Sequence, residues 1–114
     1  MPYSRGDVVL VLSRFKSPHR KRRPALVVQA DNLSTGLSQT IVAMITSNLG
    51  RAGHPSRVSV SLAAAEGRQT GLLNDSVIMT DNLATILDPG IDRRIGSMLN
   101  LAAVDTALRH TLKL

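Results

Sequence analysis

Three places in this chain carry side chains suited to work on a phosphodiester. Arg23 stands directly before Pro24, Thr46 precedes Ser47 and Asn48, and Asp81 precedes Asn82. A guanidinium stays charged at any working pH and can clamp two phosphate oxygens at once. A hydroxyl can bond the attacking or leaving oxygen, and a carboxylate or imidazole can take a proton. Ahead of Arg23 lies a run of cations, Arg14, Lys16, Arg20, Lys21 and Arg22, with His19 among them. No Asp or Glu occurs between Asp7 and Asp31. The whole chain holds 14 Lys and Arg against 8 Asp and Glu, a net charge of +6. The local excess matters more than the total, because a one-sign patch attracts a polyanion or an acidic protein segment. Each feature also has an ordinary reading: a solvated loop charge, a capped strand end, a turn.

Other chemistries find no support in the residue pattern. The three histidines, His19, His54 and His110, pair with no acid or second histidine at ligand spacing, so no metal or other cofactor is expected. Gly50 and Gly53 flank Arg51, but no GK[ST] follows, and no GxSxG elbow is present. Tyr3 and Phe15 are the only aromatics, which argues against a binder that stacks successive bases on aromatic platforms. With no cysteine there is neither disulfide nor thiolate chemistry. The opening residues lack a long apolar h-region, and no apolar run nears the ~20 residues of a membrane span. A cytoplasmic protein without membrane contact is the expectation.

The elements that must hold these residues are mostly short strands. Residues 24–30 begin with Pro24, which fixes its own φ and biases Arg23 towards an extended backbone. The apolar run from Ala25 to Val28 reads as a strand buried on both faces, with Arg23 at its mouth. Further strands are expected over 8–12, 40–46, 57–62, 76–79, 84–87 and 94–98, separated by Gly, Pro, Asn and Ser turns. Residues 63–74 are ambiguous, since an Ala triplet suggests helix while Gly67 and Gly71 suggest a loop. Only the end is plainly helical: Asn100 is a good N-cap, and Leu101, Val104, Leu108 and Leu112 recur at helical spacing. The fold class is mainly β, a small curled antiparallel sheet or barrel with a C-terminal helix, in one domain of residues 1–114.

Taken together, these blocks resemble the MazF/PemK family of toxins from bacterial toxin–antitoxin pairs. RGDVVLV at residues 5–11 is similar to the family's opening strand, and KRRPALVVQ at 21–29 to its most recognisable block. TIVAMITS at 40–47 resembles the next family strand with its terminal threonine. DSVIMTDNLATI at 75–86 resembles the strand–Asp–polar block, and RIGSML with the terminal helix completes the order. The resemblance implies an SH3-like barrel and a homodimer formed through the terminal helix or last strands. It also implies a metal-independent endoribonuclease acting on single-stranded RNA and neutralised by an antitoxin. Arg23 and Thr46 match the family's catalytic pair, and Asp81 its later Asp. Many members carry Gly-x-Glu-Gln in the first loop, whereas SRFKSPHRKR at 13–22 holds no carboxylate.

The expected site therefore has Arg23 and Thr46 as catalytic residues. His19, Ser47 and Asp81 are candidate catalytic or RNA-contacting residues, with His19 and Asp81 as candidate bases. Arg14, Lys16, Arg20, Lys21 and Arg22 form the surface for RNA and for an acidic antitoxin. The Glu-less loop supports a second reading, a barrel that has lost catalysis and binds nucleic acid or an acidic peptide.

Overall fold

The computed structural model describes residues 3–12 and 21–114. Arg14, Lys16, His19 and Arg20 lie outside the described residues.

Six antiparallel strands form one sheet in the order β4-β5-β3-β2-β1-β6. They are β1 (Asp7–Leu12), β2 (Arg22–Val27), β3 (Gln39–Thr46), β4 (Arg57–Val60), β5 (Ser76–Leu87) and β6 (Ile91–Ser97). Successive side chains of a strand point to opposite faces, and this sheet has a core on each. Val8, Leu26, Ala43 and Ile78 enter one core, and Val9, Ala25, Val27 and Val42 enter the other. The unbroken apolar run of β2 is the signature of that double burial, with Ala25 and Leu26 fully enclosed.

The C-terminal helix α2 (Ala102–Leu112) covers the first core. Val104 is fully buried there, and Leu101 and Leu108 pack beside it. The N-cap is Leu101, one residue later than expected and without a side-chain cap bond, while Asn100 Oδ1 accepts from the Ala102 N–H at 3.1 Å just ahead of the helix. Arg5 ties the helix to the sheet, with Nη2 2.5 Å from Asp105 Oδ1 and Nε donating to the Val28 carbonyl at 3.1 Å.

Two expectations need correction. Residues 76–79 and 84–87 belong to one 12-residue strand, β5. Against β3 the register jumps from Ala43↔Leu83 to Met44↔Met79, so residues 80–82 bulge out of an otherwise continuous ladder. Polar Thr80, Asp81 and Asn82 look like a break in sequence, but a bulge absorbs them and bends the strand. The ambiguous stretch holds a short helix α1 (Ala65–Gln69), with Gly67 buried inside it. A Cβ on Gly67 would fall 1.9 Å from the Ser61 carbonyl oxygen, so the helix forms there because glycine permits the close approach.

The expected barrel is present as a curled, open sheet. Among the described residues no pairing joins the end strands β4 and β6. The chain after α1 bridges that end of the molecule instead. Gly71 has φ +74°, and a Cβ on it would fall 2.1 Å from the Ile95 carbonyl oxygen of β6. Backbone thus lies against backbone where strand hydrogen bonds would otherwise close the barrel.

Candidate active site

Arg23 and Thr46 meet at the ends of neighbouring strands. β2 pairs with β3 through Ala25↔Met44, and carrying that antiparallel register two residues further sets Arg23 opposite Thr46. Both belong to the sheet face of the second core, two residues beyond buried Ala25 and half-buried Met44. Strand pairing fixes the backbone on one side of each residue, while the side chains reach open surface. Arg23 is exposed and Thr46 half-buried. Among the described residues no hydrogen bond engages the Arg23 guanidinium. Thr46 Oγ1 accepts from the Asn48 N–H at 3.1 Å. That bond ends the strand and aims the hydroxyl, while its own hydrogen stays available for donation.

Arg23 and Thr46 form a ridge between two hollows. One, of about 460 Å³, continues past Ser47 to Leu72, Asn74, Arg93 and Ile95. The other, of about 490 Å³, continues past Asn48 to Arg51, Arg57, Asp81 and Asn82. The three separate sequence sites therefore open onto one surface, with Ser47 on one side of the ridge and Asp81 on the other.

Asp81 sits in the β5 bulge and is held by Arg57 from the first position of β4. Nε lies 2.8 Å from Oδ1 and Nη2 2.6 Å from Oδ2, a bidentate pair, while Nη1 donates to the Arg51 carbonyl at 2.9 Å. The hydrogen bonds from Arg57 hold the Asp81 carboxyl below the usual carboxylate range, and those to Asp81 raise the guanidinium above its own. A carboxylate so stabilised is a poor proton acceptor. Asp81 thus reads as a buttress of the hollow's wall, and its standing as a candidate base falls. Arg57 carried no sign of this in sequence, because its partner lies 24 residues away.

The basic surface is less uniform than the sequence suggested. Arg22 gives its Nε to Asp92 of β6 at 2.8 Å, and Arg94 pairs with Asp7 at 3.0 Å. Arg23, Arg51 and Arg93 line the hollows without an ion pair among the described residues. Lys21 is exposed beside them. Arg51 and Arg93 were not singled out from the sequence; Arg51 lay in a Gly-flanked loop, and Arg93 in a strand whose start was set too late. His54 lines neither hollow. Its Nδ1 accepts from the Ser56 N–H at 3.1 Å, and its ring meets His110 edge-on with centroids 6.2 Å apart.

The family of PemK-like, MazF-like toxins of type II toxin–antitoxin systems matches residues 4–112. The chain belongs to that family. Endoribonuclease MazF6 of Mycobacterium tuberculosis is 33% identical over 97 residues, which span 82% of this chain and 81% of that protein. The M. tuberculosis toxin MazF-mt6 superimposes with a TM-score of 0.70 at 25% identity, over 93% of this chain and 97% of its own. A mycobacterial endoribonuclease solved with its cognate antitoxin superimposes with a TM-score of 0.75 at 18% identity, over 98% and 96% of the two chains, a likeness of fold. The Arg-Pro-Ala strand and the strand ending in Thr46 place this MazF-like chain's candidate pair on the face described above.

Proposed function

We propose that this chain, an endoribonuclease of the MazF-like family, cuts single-stranded RNA without a metal ion and is neutralised by an acidic antitoxin. The observation that carries the reading is the ridge: a guanidinium and a hydroxyl opposite each other on rigid strand ends, with a groove on both sides. RNA would run across it with the scissile phosphate at Arg23 and its neighbours in the hollows.

The 2′-hydroxyl attacks the adjacent phosphorus. An O2′–P bond forms, the P–O5′ bond breaks, and the products are a 2′,3′-cyclic phosphate and a 5′-hydroxyl. One proton leaves O2′ and one reaches O5′. Arg23 binds the non-bridging oxygens as their charge grows in the transition state, the type of donor whose loss costs about 10²- to 10³-fold in rate. Thr46 donates to a phosphate oxygen and holds the reacting atoms in line. Of the two bases the sequence offers, Asp81 is held in its ion pair, so the proton from O2′ is assigned to His19, an imidazole being a side chain that commonly serves as a general base.

A long single-stranded RNA incubated with the protein in EDTA, followed by end-group analysis, tests this. The expected ends are cyclic or 3′-phosphate and 5′-hydroxyl. Cleavage that disappears with EDTA, or that leaves 3′-hydroxyl ends, rejects the mechanism. The Glu-less loop supports the alternative of a barrel that binds nucleic acid or an acidic peptide without turnover; RNA retained but never cut would establish it.

A further inference from the structure

The hollow beside Ser47 ends in a feature that holding a phosphate does not require. Between α1 and β5 the chain is fastened at both ends and bare in the middle. Gly71 lies against the Ile95 carbonyl with positive φ, a contact no side chain would allow. The Leu72 N–H donates to Thr70 Oγ1 at 3.3 Å, and the Leu72 side chain is buried. Beyond the tip, Asp75 Oδ1 accepts from the Leu62 N–H at 2.8 Å, and Ser76 Oγ donates to the Asn74 carbonyl at 2.8 Å. Leu73, Asn74 and Asp75 are exposed, and of these Asp75 is held by its bond to Leu62. Leu73 is 90% exposed, above every other exposed large apolar residue described. The Asn74 side-chain amide has no hydrogen-bond partner among the described residues. Both line the hollow that also contains Arg23, Thr46 and Arg93.

We infer that Leu73 and Asn74 read one unstacked base of the RNA, next to the phosphate held at Arg23. This rests on the nuclease reading above and adds where sequence preference is set. The hollow, at about 460 Å³, is of a size that holds a small organic ligand such as a nucleoside. Its cations meet the sugar–phosphate side, and the tip offers an apolar surface beside a free amide. Sequence-specific RNA recognition works on splayed bases, packing on the face and hydrogen-bonding the edge. Tyr3 packs against the second core, so among the described residues an aliphatic side chain must cover the base face. Asn74 presents one acceptor and a pair of donors, complementary to a base edge with a donor beside an acceptor. Rigid anchoring at Gly71 and Asp75 lets two exposed residues discriminate without first having to be ordered.

A single-stranded RNA pool randomised around a cleavage site tests the inference. The wild type is compared with Asn74→Ala, Asn74→Asp and Leu73→Ala by sequencing the cut ends, and separately by sequencing RNA retained on a filter. Asn74→Ala is expected to lose preference at one position by about 10- to 100-fold while preferences elsewhere hold. Asn74→Asp keeps the shape but replaces the donors with an acceptor, so it should invert the preference at that position, not merely flatten it. Leu73→Ala is expected to raise KM more than it lowers kcat. If the cleavage and retention profiles of all three variants match the wild type, the inference is overturned. Retained RNA with an Asn74-dependent preference but no cut ends supports it while rejecting the nuclease reading.

Discussion

In the proposed mechanism Arg23 and Thr46 act where their strands stop being structural. Both lie two residues beyond the Ala25↔Met44 pair of their strands, so the sheet orients them without needing them. Arg23→Ala and Thr46→Val are therefore expected to lower RNA cleavage by about 10²-fold or more while shifting stability by no more than about 1 kcal/mol. Activity assays beside thermal melts check this, and a lost cooperative melt would reassign the residue to the scaffold. Asp81 behaves differently. Its carboxyl titrates below the ordinary range because of Arg57. Stability from that pair is fully present above the unfolded carboxylate pKa of about 4 and is lost as pH falls through the lower folded value. Asp81→Asn should thus melt below the wild type at neutral pH, and the two curves should converge in strong acid. A gap that persists in acid would mean that Asp81 acts through packing.

At the scale of elements, the site depends on two irregularities. The β5 bulge lets a 12-residue strand serve both halves of the sheet and turns Asp81 and Asn82 into the groove. The Gly71 contact holds the α1–β5 connection on β6 and so forms the far wall of the other hollow. Gly71→Ala must relieve both a left-handed φ and a 2.1 Å approach to a carbonyl oxygen, so the backbone has to move. The expected cost is about 2–4 kcal/mol, read as a lower urea midpoint. A midpoint equal to the wild type would show that the connection is not what completes the curl.

Over the whole molecule, charge and shape together set the partners. Two of the groove-lining cations are already paired within the protein, Arg22 with Asp92 and Arg57 with Asp81, so their ion pairs compete with a polyanion. RNA affinity is expected to fall with salt at a slope of roughly 0.7 per neutralised phosphate. An acidic antitoxin segment that orders on binding should compete for the same surface. Changing Arg20, Lys21 and Arg22 to Glu should weaken both ligands together in a competition titration with non-cleavable RNA. Formation of a ternary complex would place the antitoxin elsewhere. A two-fold dimer of the proposed enzyme, formed through the terminal helix or last strands as the resemblance implies, is the expected assembly. Light scattering should then give twice the chain mass; a concentration-independent monomer that still cuts RNA would reject the dimer.

The sequence by itself determined the strands, the terminal helix and the candidate pair. Period and composition are local, and a doubly buried strand such as β2 announces itself as an unbroken apolar run. The Arg-Pro-Ala block and the threonine after an apolar run were legible for the same reason. Tertiary structure alone decided which charges are spent and which are free. Arg57 and Asp81 lie 24 residues apart, and Arg22 and Asp92 lie 70 apart, so no spacing rule reveals either pair. It also decided that residues 80–82 bulge without ending their strand, since only the fixed partner β3 can carry the ladder past them. Within the ambiguous stretch 63–74, Leu73 and Asn74 gain a fixed, exposed position only because Gly71 and Asp75 are anchored to distant backbone. A side chain's availability depends on everything packed around it, and that is a property of the fold, not of the residue.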